Sequence, residues 1–503
     1  MGVVVRQSIK ASIVNYLGIA VGFVVILVLM PLIFTEKEVG IVRMLIENHI
    51  AFAGLAVVGI SSSLIRYYPM FKTNEQGKNH GMDFWALLIP LLGTVLVSIL
   101  LLLLKNWIAS MMMENAAAFM EYYLLFIPLI FSQVYFSVLE AIASVEGRIA
   151  VPKLIKEVVL RVFSIVAFLS YLFGYLSFDQ SVLLLVVFYF LHFVLLFVYV
   201  LKLRKLDLKP DFEFLKKNPA ILKDFWKYTG YITIGSISGL MITKLDFFMI
   251  SSIKGLAFTG VYAIAFHCAT IIEIPKRALV QILSPPLAIN MANAKIRDTA
   301  KLYKRTAILQ FLPALFLLLG LLINLDNLYK IMPNGKLYEG GKLVIAVIAI
   351  AKAVEMIFGL GTQILTYSKY YHFMFVLTIS SAVIGILLNL WLIPIYGIVG
   401  AALATGMVLV YQQIIVYFTI LFKLKFHPFS MPLLWMGLLF AGVLGLNFLL
   451  PPFQNPWLDA SIRSILFPGL FLALALKFKL SPDIQKLLFD VWNRLKVGNF
   501  KTH

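Results

Sequence analysis

Apolar residues in this chain run in long blocks, and fourteen of them reach the ~20 residues an α-helix needs to cross a bilayer. They cover about 9–33, 41–63, 84–104, 119–141, 155–176, 181–201, 226–251, 260–283, 307–325, 342–364, 372–393, 397–421, 431–450 and 461–478. Each block is too long for a strand and lacks a period of two, so a membrane barrel is excluded. The first block is longer than the apolar core of a cleaved signal, and no small-residue cleavage site follows it. The pattern predicts an all-α integral membrane protein of about 14 transmembrane helices.

Two stretches break the pattern. The longest polar loop, about 202–225, carries eight bases counting Lys227 just beyond it, with six spans before it and eight after. It reads as a linker between two six-helix lobes, followed by two added helices. The expected organisation is 1–210 (helices 1–6), 211–425 (helices 7–12) and 426–503 (helices 13–14 and a tail). Two similar lobes fit a transporter built from repeats. The tail predicts an amphipathic helix in the inner membrane interface. Ser481 is its N-cap, Pro482 suits the first turn and Asp483 the positive dipole end. Ile484, Leu487, Leu488, Val491, Trp492 and Leu495 share one face.

Composition supports the membrane reading. Hydrophobic residues make up 61% of 503 and charged residues 13%, against roughly 45–50% and about 25% in soluble domains. Too few charges are present to coat a water-facing surface. The net charge of +19 would point to nucleic acid in a soluble protein, but here its distribution explains it. With a cytoplasmic N-terminus, 30 bases fall in inner loops and ends, 8 in outer ones and 5 within spans. That split is the positive-inside signal, and it places both termini in the cytoplasm. A single cysteine, Cys268, excludes an internal disulfide and a cysteine metal cluster. No HExxH, GxSxG, P-loop or CxxC occurs, and no loop is long enough for a catalytic domain. The sequence therefore predicts no enzyme, cofactor, metal or nucleic-acid partner, and no ATP-driven engine.

Charges within the spans are the informative residues, because each costs a few kcal/mol at mid-helix. Several have an opposite charge three or four positions away on the same face: Arg43 with Glu47, Arg161 with Glu157, Lys276 and Arg277 with Glu273, and Lys352 with Glu355. Lys244 and Asp246 do not. They are two apart, point to different sides of helix seven, and each needs a partner on another helix, water or a ligand. Lys244 is read as facing a central water-filled cavity, and Asp246 as paired with a base on another helix. His49 is a cavity candidate or a donor to a carbonyl. A cavity with Lys244, Lys352 and Arg43 is cationic and would attract a pyrophosphate or acidic sugar. Pro31, Pro90, Pro128, Pro275, Pro313 and Pro394 lie in or at the ends of spans, and Gly235, Gly239, Gly359, Gly361, Gly397 and Gly400 near contacts or turns.

Spans arranged as six, six and two resemble the polysaccharide flippases of the multidrug/oligosaccharidyl-lipid/polysaccharide exporter superfamily. Residues 389–405, NLWLIPIYGIVGAALAT, are similar to that family's signature around helices eleven and twelve. The stretch 245–265, LDFFMISSIKGLAFTGVYAIA, resembles its helix seven to eight segment, with Asp246, Gly260, Tyr262 and Ala265 at the matching places. The stretch 59–69, GISSSLIRYYP, is similar to its end of helix two. The resemblance implies an all-helical bundle with a central cavity between two lobes. It implies flipping of an undecaprenyl-diphosphate-linked oligosaccharide to the outer leaflet of a bacterial cytoplasmic membrane, for surface polysaccharide such as lipopolysaccharide O-antigen. Glycosyltransferases and a polysaccharide polymerase are the implied partners, besides the lipid-linked substrate and membrane lipids. Lys244, Lys352, Arg43 and His49 are then the candidate substrate contacts, and Asp246, Glu47 and Glu355 the candidate coupling or ion-pair residues. Lipid II flippases carry arginines in the first two helices, whereas Val24 and Val25 stand mid-helix one here. The alternative is a cation-coupled multidrug or small-molecule antiporter of the same superfamily, for which Glu47 is the candidate cation site.

Overall fold

The computed structural model describes residues 14–15, 17–71, 79–111 and 116–486. Arg6, Lys10, Lys72, Lys78 and the tail beyond Lys486 lie outside the described residues. Among the described residues all regular structure is helical. The principal helices are α1 Leu17–Ile33, α2 Glu36–Ala56, α3 Ile60–Phe71, α4 Met82–Met111, α5 Phe126–Val145, α6 Leu160–Leu172 and α7 Phe178–Leu203. They continue with α8 Pro219–Ile253, α9 Leu256–Ala269, α10 Ile274–Ala292, α11 Ile296–Ile323, α12 Lys342–Ile357, α13 Gly361–Tyr367 and α14 His372–Tyr396. The last three are α15 Ile398–Leu424, α16 Met431–Leu446 and α17 Pro456–Lys477.

Each of the fourteen apolar blocks is mainly helical where it is described, so the chain is a multi-pass membrane protein. Among the described residues ten helices are long and apolar enough to cross a membrane, and the stretch Gly335–Ile357 with Gly361–Tyr367, bent by 55°, makes eleven. On α4, Leu92, Leu96 and Leu103 are 61%, 59% and 74% exposed. Spaced four and seven apart, they share one face, which suits contact with lipid.

Local chemistry sets the ends and irregularities. Thr35 caps α2 in a reciprocal capping box with Glu38, and Ser177 does the same for α7 with Gln180. Pro31 offers no N–H, and just before it α1 shifts into a π turn over Val25–Leu29, where Met30 N bonds Val25 O. The expected second span is broken. Val58 and Gly59 take left-handed φ of 50° and 60°, which separates α2 from α3. Gly59 sits close to Thr229 O and Thr233 Oγ1, so a side chain there would be both strained and crowded.

The chain forms two compact units, residues 1–264 with 386–398, and 265–385 with 399–503. In the first, α8 packs on α2 and α3, which precede the 202–225 loop. Its core includes Ile60, Leu64, Phe136, Leu139, Leu196 and Phe225. In the second unit, Leu287, Tyr303, Leu360, Ile364, Val416 and Ile420 form a separate core. Lipid is as apolar as leucine, so close backbone approach rather than water exclusion holds such helices together. At Gly40 of α2 a Cβ would fall 1.8 Å from Leu256 O, and at Gly260 of α9 it would fall 2.2 Å from Glu36 O.

Gly40→Ala forces these backbones apart and is expected to cost about 1–3 kcal/mol. The unfolding midpoint of the purified protein in detergent should drop. Gly437→Ala, where a methyl meets open space, should leave the midpoint unchanged. Equal midpoints for both variants would contradict the close crossing of α2 and α9.

Candidate functional site

The first unit carries a shared-carboxylate cluster. Glu47 on α2 binds Arg43 one turn earlier through Oε1 and Lys244 of α8 through Oε2. The side chains of Arg43 and Glu47 are each 5% exposed, whereas that of Lys244 is 22% exposed. Two bases share one acid, so the cluster carries net +1 and its reachable member is the ammonium. Helix periodicity explains the local pair, since positions four apart share a face.

His49 lies elsewhere. Two residues beyond Glu47 it turns to another side of α2, where it is fully buried. Its Nδ1 lies 3.0 Å from Leu45 O, and its ring stands edge-on to Tyr189 at 5.0 Å. The carbonyl contact anticipated from the sequence is present.

Asp246, 2% exposed, faces away from Lys244. It accepts hydrogen bonds from Tyr262 Oη at 2.8 Å and Asn389 Nδ2 at 2.7 Å. Two of its donors are thus a phenol and an amide. A carboxylate is stabilised by neutral donors when they are fixed by packing, and Tyr262 and Asn389 are themselves buried. Both lay within the segments that carry the family resemblance, but their role as donors gave no charge signal.

Arg161 pairs with Glu157 at 3.0 Å, as the spacing of four predicts. Sequence reasoning missed what covers this pair. A Cβ at Gly22 would lie 2.2 Å from Arg161 Nη1, and one at Gly18 would lie 2.7 Å from the Glu157 Cβ. The Gly-x-x-x-Gly spacing on α1 was the available signal: small residues let α1 lie directly on the ion pair.

The second unit holds another cluster, and here the expected pairing is partly exchanged. Arg277 reaches Glu273 on its own helix at 2.8 Å. Lys276, however, binds Glu355 of α12, and Lys352 of α12 binds Glu273. The bases therefore cross between neighbouring segments instead of folding back along their own. Each carboxylate thus gains a full partner without a bent lysine stem. Gln413 Nε2 of α15 adds a bond to Glu355 at 3.2 Å, and the Lys352 ammonium lies 5.6 Å from the Phe266 ring centre. Three bases against two acids again leave net +1. Among the described residues no group of three or more His, Cys, Asp or Glu is placed to hold a metal ion.

No protein-family profile and no curated protein matches the sequence. Solved structures do match. The lipid II flippase MurJ in an inward closed conformation aligns over 93% of this chain and 98% of its own, with 14% identity and a TM-score of 0.72. An inward-facing multidrug resistance MATE transporter of the MOP superfamily aligns over 83% and 94%, with 16% identity and a TM-score of 0.60. A MOP transporter from Pyrococcus furiosus, for which a reversed polarity of the binding pocket is described, aligns over 84% and 95%, with 14% identity and a TM-score of 0.57. The chain has the fold that these structures share.

Removing Glu47 takes its bonded carboxylate from the buried Arg43, and breaking a buried pair in this way costs about 3–5 kcal/mol. Glu47→Ala is expected to lower the unfolding midpoint in detergent well below that of Lys244→Ala, since Lys244 is partly exposed and its loss leaves the Arg43–Glu47 pair intact. Equal losses for both variants would show that the carboxylate is not the hub.

Proposed function

We propose that the protein is a flippase. It moves an undecaprenyl-diphosphate-linked oligosaccharide from the inner to the outer leaflet of a bacterial cytoplasmic membrane, by alternating access, for assembly of a surface polysaccharide. The observation that carries this reading is the sign of the intramembrane charge. In both clusters the acids are already bound to bases, and the base left in excess calls for an anion. A diphosphate supplies that anion, and its prenyl tail can remain in lipid while the head crosses.

The coverage of the structural neighbours supports a lipid substrate over a small drug. The MATE structure matches nearly its whole length yet leaves 17% of this chain unpaired, whereas the lipid II flippase leaves 7%. The difference of 10%, about 50 residues of 503, equals the length of two spans. On this reading Lys244 contacts the diphosphate, with Lys352 and Arg43 adding to the field, and Asp246, Glu47 and Glu355 hold the charge network or couple it to an ion gradient. Both termini lie in the cytoplasm, and glycosyltransferases and a polymerase act before and after the step.

The test is depletion of the protein in its own host, followed by extraction of the lipid-linked glycans. Accumulation of an undecaprenyl-diphosphate oligosaccharide with loss of surface polysaccharide is expected. Lys244→Ala should reproduce it, with flipping slowed about 10-fold or more, as the loss of a charge-assisted bond implies. Unchanged lipid-linked glycans would end this reading. A rise in drug or dye sensitivity instead would replace it with the antiporter.

A further inference from the structure

The break between α2 and α3 opens on a recess of about 230 Å³ within the first unit, with Ile50, Ala53 and Val57 forming its apolar side. Gly54 and Gly59 border it on the broken span, together with Ser61 and Ser62, while Gln133 and Ser137 border it from α5. At roughly 30 Å³ per water it has room for about seven waters, or for one pyranose ring in their place. None of its lining residues is ionisable.

Of its hydroxyls, that of Ser137 donates to Gln133 O at 2.9 Å. Ser61 Oγ is buried without a hydrogen bond. Among the described residues none bonds the Gln133 amide or the Ser62 hydroxyl. Across the break, Ile60 N reaches Val57 O at 3.1 Å and Ser63 N reaches Gly59 O at 3.2 Å. Val57 N closes Ala53 O at 2.9 Å, while Ser61 and Ser62 stand in the first turn of α3, where amides have no intrahelical acceptor. At membrane depth such groups are tolerated only where water or a ligand meets them. The comparable break between α12 and α13, in the other unit, is closed by protein instead: Gln310 Nε2 donates to Met356 O at 2.9 Å.

We infer that this recess is a subsite for a neutral polyhydroxylated group, a sugar ring of the substrate head. An amide, two hydroxyls and open backbone groups match the mixed donors and acceptors of a sugar, and the absence of charge excludes the diphosphate itself. The inference rests on the flippase reading and adds the place of the glycan. Gly54 is seven residues along α2 from Glu47, about 10 Å at the helical rise. A diphosphate at Lys244 therefore sets the first one or two sugars at the recess.

The experiment uses the full chain in lipid nanodiscs and two probes. One is undecaprenyl diphosphate without sugar; the other is the lipid-linked glycan extracted from the host's own membranes. Wild-type protein should bind the glycan-bearing lipid more tightly. Gln133→Met, close to the native side chain in shape, and Ser61→Ala should each weaken that binding about 2–10-fold, as one lost hydrogen bond implies. Both should leave undecaprenyl diphosphate within about twofold. Lys244→Ala should weaken both probes. Equal affinity of wild type for the two lipids, or equal losses on both in the Ser61 and Gln133 variants, would overturn the subsite. Loss of neither probe with Lys244→Ala would instead overturn the flippase reading. Ser61→Ala removes a single oxygen, so it keeps the test alive if the Gln133 variant fails to fold.

Discussion

A charge at hydrocarbon depth needs its counter-charge in direct contact, and much of this structure follows from that constraint. Glu47 cannot stand alone on α2, nor can Arg43. Joining them leaves one carboxylate oxygen, which fixes Lys244 of α8 against α2. Close packing then follows along the same helix, where Gly40 lets the backbone of α9 approach. The same requirement places Gly18 and Gly22 of α1 over the Glu157–Arg161 pair, since any larger side chain would push lipid or a void between the ions and their cover. In the second unit it is met by exchange, with Lys276 and Lys352 trading acids between neighbouring segments.

How far the sequence could be read depended on the range of the interaction. Spans were legible because length and apolarity are local, and all fourteen blocks are mainly helical where described. Pairs four apart on one helix were equally legible: Arg43–Glu47, Glu157–Arg161 and Glu273–Arg277 form as spaced. Contacts between helices were legible only as a need. Lys244 and Asp246 were recognisable as lacking local partners, but nothing in their spacing distinguishes Glu47 from any other acid, or reveals Tyr262 and Asn389 as neutral donors. The exchange in the second unit was hidden for the same reason: Glu273 is near in sequence to Lys276, and Glu355 is nearer in space.

The breaks in the spans show another limit. Apolar content runs through Val57 and Val58 and through Phe358 and Leu360, so a hydropathy reading joins what the backbone separates. The signal was the glycine in each case. Gly59 and Gly359 both take positive φ and both press against backbone or side-chain atoms of a neighbouring helix. A break exposes orphan amides and carbonyls whatever its purpose. What differs is their fate: the second unit closes one carbonyl with Gln310, and the first leaves its recess lined by unbonded serine and glutamine.

The sign of the substrate follows from which group is free to move. To bind a cation at the first cluster, Glu47 would have to release Arg43 or Lys244, and a buried guanidinium would lose its counter-charge. That exchange costs several kcal/mol before any contact is made. An anion needs no such release. It joins the cluster at the side of Lys244, whose side chain is the most exposed of the three, and turns a site of two bases and one acid into a balanced one. The low dielectric that makes the unbalanced charge costly makes that closure favourable. On the function proposed, the charge left over at the cluster is met by an anionic head, and the uncharged recess about 10 Å along α2 takes what is attached to it.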